Sequence, residues 1–489
     1  MLLDFSWWYY NQSGEADVLP LVNRFVQPDI ADWTDYFSNF PQRDTTAQPG
    51  YVPSSNACGR QGVDVTQAIG YPIPYYLMAR NQSYRASVSL GISNLDLYDG
   101  QVGGRWNADE YLSGLAPTQG TELCDVEELI YSLTKNFEAV GDVTFADRVE
   151  KLMFNAFPAT CGADMWSHQY DQQANQVLVS VDSRPWHADN NTANIFGFTP
   201  NFPCCLANLS IPFPTYVENM WLASNDRGLI AALYGPCEVK ATVGNNISAD
   251  ITETTGYPFS DVIVFTVNLS APGTFPLYFR IPSWAQAAQL TVDGTTLTPA
   301  AGSVCQINRN WQPGDVVTLQ LNNQVQTETR YNNAASVTWG PLAFALRVGE
   351  SFTPISSAAE DAPLFPPFPT GVANWQITPA TPWNYALVID RNNPQYTLVT
   401  NAISSVPFAQ PGEPIFLPGA TNFTTWSQDV PLVLKMRAHL LSNWGMNGAN
   451  AADVPTAPVA SSTNDDTTVD LIPYGCTRLR VAEFPVLSP

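Results

Sequence analysis

Charge is scarce in this chain, and positive charge most of all. Asp, Glu, Lys and Arg make up 13% of its 489 residues, about half the usual share. The 21 basic residues face 44 acidic ones, which gives a net charge of -23. Without a basic tract, a chain this acidic is repelled by phosphate backbones and anionic lipid. Nucleic-acid binding is therefore excluded as its function.

Long apolar runs and targeting signals are also missing from the sequence. No run approaches the roughly 18 residues that a transmembrane helix needs, so we expect no membrane span. Residues 1–10 have neither the cationic segment nor the small-residue cleavage site of an intact signal peptide. The apolar fraction of 45% is ordinary, so a large core can form. The length predicts two or three domains.

Glycosylation sequons, in contrast, are frequent. The pattern N-x-Ser/Thr marks surface loops of secreted proteins. It begins at Asn11, Asn81, Asn190, Asn208, Asn246, Asn268 and Asn422. Together with the scarcity of lysine and the 40 prolines, these sites favour a secreted, extracellular glycoprotein.

The first half of the chain has the hydrophobic period of helices. Apolar residues recur at helical spacing over residues 123–137 and again over residues 145–153, with a turn at Gly141 between them. This pattern predicts a helical hairpin that ends at Pro158. Residues 64–85 are also compatible with helix, although Pro72 interrupts them.

After about Arg227 the period changes from 3.6 to 2. Short alternating runs, such as residues 262–267 and 275–281, are separated by turn signals. Such spacing is typical of a β-sandwich. We therefore predict a helical domain over residues 1–226 and a β-sandwich region, of one or two modules, over residues 227–489.

Several common catalytic sets are missing. The histidines are His168, His187 and His439, so a histidine-rich zinc site is excluded. The sequence contains no G-x-S-x-G elbow, no P-loop and no dinucleotide-binding glycine pattern. Nucleotide cofactors are therefore not expected.

The eight cysteines allow two interpretations. In a secreted chain the simpler one is four disulfides. However, Cys204 and Cys205 are adjacent, and adjacent cysteines rarely pair because the intervening peptide would be strained. Glu122 and Cys124 are two residues apart, so their side chains diverge on a regular helix but can converge at its unwound entry. Glu and three Cys make a soft, tetrahedral, zinc-type ligand set.

Two further sets of residues could act in catalysis or substrate binding, or could have a purely structural role. Asp109 and Glu110 could transfer protons, or they could lie in a solvated loop. Trp166, His168 and His187 belong to polar-aromatic clusters that could line a substrate pocket, or they could be core.

Eight segments, taken in order, point to a known family. They are residues 120–128, 203–208, 234–237, 279–285, 310–315, 339–342, 383–387 and 473–480. Their order and number resemble glycoside hydrolase family 127, the β-L-arabinofuranosidase-type enzymes. The resemblance runs from about Gly62 to the C-terminus. It implies an (α/α)6-barrel-type helical catalytic domain followed by β-sandwich domains.

The resemblance also implies a mechanism. Glu122, Cys124, Cys204 and Cys205 would bind zinc, and Cys204 would also be the nucleophile of a retaining glycosidase. Glu110 is the expected acid/base. The implied substrate is a β-L-arabinofuranosyl or related sugar residue of a glycan.

The alternative is a catalytically degenerate relative that serves as a carbohydrate-binding or structural extracellular glycoprotein. Two departures from the family motivate it: a short stretch precedes Glu122, and Gln61 stands where the family pattern has His. A homo-oligomer and a larger extracellular assembly both stay open.

The metal assignment constrains the other cysteines. If Cys124, Cys204 and Cys205 bind metal, an odd number is left. At most two disulfides then form among Cys58, Cys161, Cys237, Cys305 and Cys476.

Overall fold

The computed structural model describes most of the chain. The described residues are 2–24, 32–41, 43, 61–186, 190–197, 203–357, 373–417, 419–420, 422–459 and 466–487. His187 and Cys58 lie outside them, as does most of the proline-rich stretch after Ser357. None of the helices in these ranges has the length and apolar character that crossing a bilayer requires.

Helices occupy the described chain before residue 219. They are α1 (Leu2–Ser13), α2 (Val18–Arg24), α3 (Trp33–Asn39), α4 (Gly62–Ala68), α5 (Pro72–Ala79), α6 (Gln82–Asp99), α7 (Leu123–Val140), α8 (Val143–Lys151), α9 (Phe157–Thr160), α10 (Pro203–Asn208) and α11 (Pro212–Glu218). A π-helical turn, Leu152–Ala156, joins α8 to α9. Two short strands, β1 (Thr121–Glu122) and β2 (Asp171–Gln172), pair antiparallel within this region.

The predicted helical hairpin is confirmed as α7 packed against α8. Helix α7 ends at Val140 because Gly141 takes the left-handed conformation with φ 66°, which glycine adopts without a side-chain clash. Asp142 then caps α8 by accepting a hydrogen bond from the amide of Thr144. Pro72 also separates two helices as expected, since it opens α5. A proline in the first turn removes an amide that has no helical partner anyway.

Strands follow the last of these helices and form two facing sheets. The six-stranded sheet has the order β10-β9-β12-β7-β6-β5, and the four-stranded sheet has the order β11-β8-β4-β3. Their bounds are β3 (Trp221–Ala223), β4 (Leu229–Ala231), β5 (Cys237–Val243), β6 (Ile247–Thr255), β7 (Val262–Leu269), β8 (Gly273–Ile281), β9 (Gln289–Val292), β10 (Thr295–Leu297), β11 (Ser303–Trp311) and β12 (Asp315–Gln320).

Alternation along the strands explains how this sandwich forms. In β8 the buried side chains include Phe275, Leu277 and Phe279, which share one face because successive strand residues point to opposite sides. Phe279 meets Phe265 of the opposite sheet, with ring centroids 5.1 Å apart. The change of period in the sequence is therefore a change of structure. The division at residue 226 itself stays a prediction.

A third sheet is built from the end of the chain. Its order is β13-β14-β15-β25-β22-β18-β26, with β19 also paired to β22. The remaining strands are β13 (Val325–Thr329), β14 (Ala335–Trp339), β15 (Leu342–Leu346), β16 (Glu350–Ser357), β17 (Ala373–Pro379), β18 (Tyr385–Val388), β19 (Thr397–Thr400), β20 (Pro414–Ile415), β21 (Thr424–Thr425), β22 (Leu432–Leu440), β23 (Met446–Asn447), β24 (Asn450–Ala451), β25 (Asp466–Pro473) and β26 (Val486–Leu487).

The end of the chain returns to the helical region. Tyr474 donates a hydrogen bond to Gln172 at 3.0 Å, and Gln176 donates to the carbonyl of Arg478 at 2.7 Å. All four residues are buried. Strand β2 is therefore stabilised by a hydrogen bond from a residue some 300 positions later in the chain.

A buried ion cluster joins the helices to the sandwich. Arg280 of β8 is fully buried and contacts Asp147 at 2.5 Å and Glu150, both on α8. Asp147 also accepts hydrogen bonds from the amide and hydroxyl of Ser283. Arg280 thereby neutralises two carboxylates that would otherwise be buried without a counter-charge.

Replacing Arg280 should destabilise the protein strongly. We expect Arg280→Met to lower the free energy of unfolding by about 3–5 kcal/mol, because both carboxylates stay buried without their partner. The matched control is Arg437→Met, whose ion pair with Asp466 is largely exposed and should contribute much less to stability because solvent screens it. Urea denaturation of both variants measures the difference. Equal losses would contradict the importance of this cluster.

Candidate metal centre and active site

Glu122 and Cys124 lie at the entry of α7. Glu122 ends β1 in extended conformation, with φ -61° and ψ 140°, and the helix begins at Leu123. Because the backbone is not yet helical at Glu122, its carboxylate and the thiol of Cys124 turn toward the same point. Strand β2 fixes this conformation, since Glu122 pairs with Asp171 and the amide of Leu123 donates to the carbonyl of Tyr170.

The adjacent cysteines reach the same point from α10, which packs against α7. The Sγ atoms of Cys124 and Cys205 are 3.2 Å apart. Oε1 of Glu122 lies 3.5 Å from Sγ of Cys204 and 3.8 Å from Sγ of Cys205. The four ligand atoms all lie within 4.8 Å of one another. The structure thus brings together the four residues expected to bind metal.

The sulfur–sulfur separations of 3.2 Å and 4.0 Å lie on either side of the value for a tetrahedral metal ion. With metal–sulfur bonds of about 2.3 Å, ligands at tetrahedral positions are about 3.8 Å apart. The separation between Cys204 and Cys205, 4.0 Å, is close to that value. None of the seven cysteines in the described residues forms a disulfide, so all three thiols are free to bind.

The electrostatics of the cluster also favour a cation. Burial and the nearby charge of Cys204 raise the pKa of Glu122. Hydrogen bonds from Cys124 and Cys205 lower the pKa of Cys204, so negative charge concentrates on this sulfur. Burial raises the pKa of the neighbouring Asp125 and Glu127 well above their ordinary values. Such a crowd of buried acidic groups is costly unless a positive charge accompanies it.

Solvent access distinguishes the four ligands. Cys204 is exposed, whereas Glu122, Cys124 and Cys205 are buried. One sulfur can therefore meet an incoming substrate while the other ligands stay enclosed.

Glu110 lies beside this cluster, and its loop is not the solvated loop of the simpler interpretation. Asp109 is buried and Glu110 is half-buried. Tyr170 donates a hydrogen bond to Oε2 of Glu110 at 3.0 Å, and Gln61 lies 3.4 Å from Oε1. The charge of Glu110 contributes to the raised pKa of Glu122, so the two carboxyl groups are neighbours.

The backbone at Glu110 is strained. Its φ is 133°, a region that L-residues rarely adopt and that costs of order 1–3 kcal/mol. The amide of Gly62 donates to the carbonyl of Glu110 at 2.8 Å and helps to hold this conformation. Strain retained at one carboxylate of a cleft is a common property of functional residues.

His168 lies near the cysteine cluster. It is buried, and its backbone pairs with Cys161 and Gly197. Burial lowers its pKa to about 4, and the charge of Cys204 opposes this shift in part. His168 is therefore neutral near neutral pH, and its Nε2 atom has no hydrogen-bond partner among the described residues.

The other expected site residues are placed differently. Trp166 packs against Phe416 with ring centroids 5.7 Å apart and lines a small pocket of aromatic rings together with Trp375 and Phe352. His187 lies outside the described part of the chain. The sequon asparagines are exposed except Asn208, which is half-buried.

Sequence reasoning missed Tyr170 and Asp171. Tyr170 connects the segment after His168 both to Leu123 and to Glu110, and Asp171 pairs with Glu122. Tyr170 is the last residue of the noted polar-aromatic cluster, and Asp171 follows it. Nothing in their local pattern, however, indicates that they face a carboxylate some 60 positions earlier.

Comparisons with known proteins find likenesses at two levels, of sequence and of fold. Residues 228–323 match the family described as "Beta-L-arabinofuranosidase, GH127 middle domain". This match lies in the sandwich and agrees with the resemblance that the eight sequence segments carry. No curated protein gives a significant sequence match.

Solved structures share the fold of nearly the whole chain. One described as a glycoside hydrolase has a TM-score of 0.67 at 17% identity, covering 99% of this chain and 74% of that one. A GH127 β-L-arabinofuranosidase from Geobacillus stearothermophilus T6 has 0.63 at 14%, covering 98% and 70%. A GH127 β-arabinofuranosidase has 0.62 at 15%, covering 99% and 68%. The predicted mixture of helical and β-sheet regions agrees with this fold.

The cluster of four ligand residues predicts the metal content of the protein. We expect the chain to retain about one soft divalent metal ion per molecule, because four ligand residues converge and three of them are buried. Cys205→Ala should lose most of it, since three ligands remain. Cys305→Ala is the matched control, because Cys305 lies on β11 of the sandwich. Elemental analysis after dialysis reads the result, and equal metal in both variants would refute the site.

The low pKa of His168 predicts how its imidazole titrates. In an NMR titration its ring protons should not shift between pH 8 and about pH 5, whereas an unperturbed histidine titrates near 6.5. The unfolded chain therefore takes up this proton first, so His168 contributes a loss of stability as the pH falls from about 6.5 toward 4. His168→Gln removes the assigned signal. A midpoint near 6.5 for that signal would contradict the burial of the ring.

Proposed function

We propose that this chain is a zinc-dependent retaining glycoside hydrolase that uses Cys204 as its nucleophile. Its substrate would be a β-L-arabinofuranosyl or related sugar residue of a glycan. The observation that carries the proposal is the convergence of Glu122, Cys124, Cys204 and Cys205 with Cys204 exposed. The match of residues 228–323 to the GH127 middle domain supports the same chemistry.

The proposed zinc ion would be held by those four residues. A bound zinc ion would supply positive charge that keeps the thiols deprotonated at neutral pH. Three thiolates and a carboxylate are the donor set that zinc accepts at closed tetrahedral sites. The identity of the metal rests on this preference for sulfur.

The residues of the chain would then perform two displacements. The thiolate of Cys204 attacks the anomeric carbon, and the bond to the leaving oxygen breaks as Glu110 gives that oxygen a proton. The product is a sugar joined to Cys204 through sulfur. Glu110, now a carboxylate, removes a proton from water, which attacks the same carbon and releases Cys204 as thiolate. Two inversions leave the configuration retained.

Neighbouring side chains would orient Glu110 and contact the bound sugar. Tyr170 donates a hydrogen bond to Oε2 of Glu110, and Oε1, which lies 3.4 Å from Gln61, would be the oxygen that faces the leaving group. His168, neutral and with Nε2 unpaired among the described residues, could accept a hydrogen bond from a sugar hydroxyl.

We also propose, at the level of the fold, that the helical region is an (α/α)6-barrel-type catalytic domain. The proposal rests on the family and on the location of the metal ligands in α7 and α10. A secreted, glycosylated state is proposed in the same way. The exposure of six of the seven sequon asparagines supports it, and mass spectrometry of native material tests it.

Gln61 favours the competing function, a carbohydrate-binding relative without activity. Where the family pattern has His, this side chain lies 3.4 Å from Glu110 and also accepts the amide of Asp64 at 2.6 Å. If Gln61 blocks the sugar site, the chain would bind glycans at most.

An activity screen separates the two functions. The panel is a set of aryl furanosides, including β-L-arabinofuranoside, assayed with and without chelator and with reductant. Active protein should lose hydrolysis in Cys204→Ala and keep it in Cys305→Ala. Absence of activity on the whole panel in metal-loaded protein, or full activity of Cys204→Ala, would overturn the proposal.

Glu110→Gln tests the acid/base. Because proton transfer by such a group typically contributes about 10²–10⁴-fold, we expect a loss of that order on substrates with poor leaving groups. Aryl glycosides with acidic leaving groups should be less affected in the first step. Glu238→Gln, at an exposed position of β5, serves as the control. An equal loss on both kinds of substrate would argue against Glu110 as the acid.

A further inference from the structure

A second cleft lies where the helices meet both β regions. Its volume is about 500 Å³, within the range of about 300–1,000 Å³ typical of ligand sites, which often form at domain interfaces. Its walls include Arg148 and Lys151 of α8, Trp284 after β8, and Arg330 after β13. Neither Glu110 nor any of the four ligand residues of the cysteine cluster lines this cleft. The cleft is therefore separate from the site described above.

The carboxylates of this cleft already have cationic partners. Asp96 pairs with Arg148, and Glu328 pairs with Arg330. Asp147 pairs with Arg280, which lies behind the cleft wall.

Lys151 is the cation left over. Among the residues that the structure describes, no carboxylate lies within ion-pair distance of its ammonium, although Glu328 is near enough for Lys151 to lower its pKa. The Lys151 side chain passes close to Gly104, where a Cβ would lie 3.3 Å from the Cβ of Lys151. Its Nζ is 5.9 Å from the ring centroid of Trp284. One of the four lysines of the chain is therefore placed, with its charge unpaired, beside a tryptophan.

We propose that this cleft binds acidic glycans, in which a uronate sugar packs against Trp284 and its carboxylate pairs with Lys151. Aromatic rings provide the apolar surface that a sugar ring can cover. A charge-assisted contact with the unpaired ammonium selects the carboxylate. Thr144, Gln326 and Thr329 at the rim offer hydrogen-bonding groups for sugar hydroxyls.

The acidity of the chain does not oppose this ligand at close range. At physiological salt, charges more than about 8 Å apart are largely screened. A uronate in the cleft therefore interacts mainly with Lys151, Arg148 and Arg330 and the carboxylates paired to them. The distant majority of the -23 charge slows approach but contributes little to the bound state.

Calorimetric titration of the full chain tests the proposal. The probes are tetragalacturonate and its fully methyl-esterified form, which has the same sugars without the charges. We expect tetragalacturonate to bind more tightly than the ester by about tenfold or more, as a charge-assisted contact contributes. Its affinity should also weaken as salt is raised.

Variants separate this cleft from the rest of the molecule. Lys151→Met should lower the affinity for tetragalacturonate to that of the ester. Lys240→Met, at an exposed lysine of β5, is the matched control and should leave it unchanged. Cys204→Ala should also leave it unchanged, which distinguishes this cleft from the cysteine site. Trp284→Phe should weaken both probes, because the packing surface shrinks while the charge stays.

Three results would overturn the proposal. They are equal affinity for the acid and the ester, unchanged affinity in Lys151→Met, and no binding of tetragalacturonate at millimolar concentration to protein whose folding is verified by its thermal transition. None of them bears on hydrolysis by Cys204, so the proposed activity is judged separately.

Discussion

The structure of this protein depends on bringing three sulfurs and a carboxylate into one largely buried volume. Each of these groups tends to become negative, and burial makes such charge expensive. The pKa shifts reflect this cost. The pKa of Glu122 is raised, whereas the pKa of its neighbour Cys204 is lowered. A bound divalent metal ion would reduce this cost, because its positive charge would stabilise the negative charge on all four ligands. Metal binding and the local fold are therefore expected to be coupled.

Distant parts of the chain support that volume. Strand β1, which ends at Glu122, is paired with β2, and β2 is held by Tyr474 near the end of the chain. On the other side, α8 is fixed to the sandwich by the buried guanidinium of Arg280. The β regions thus act as a frame for the helical site. A site carried by short strands and helix ends needs such a frame, because local segments of that length are not stable alone.

The same frame separates two sites of different electrostatic character. At the cysteine cluster, negative groups converge and one sulfur faces solvent. At the interface of the three regions, carboxylates are already paired and a lysine is left over beside Trp284. As proposed, the first site would hold a cation, and the second would bind a ligand that carries its own negative charge.

The sequence alone determined the periodicities, and with them the α7–α8 hairpin and the strands of the sandwich, because these depend on local spacing of apolar residues. Its motifs also gave the four candidate ligands and the resemblance to family 127. Tertiary structure decided what local pattern does not contain: the burial of Asp109, the strained φ of Glu110, and the contact of Tyr170 with Glu110 across 60 positions. It also decided that Cys204 is the exposed sulfur. Periodicity reports which face of an element is apolar, whereas the distance between two side chains depends on how whole elements pack.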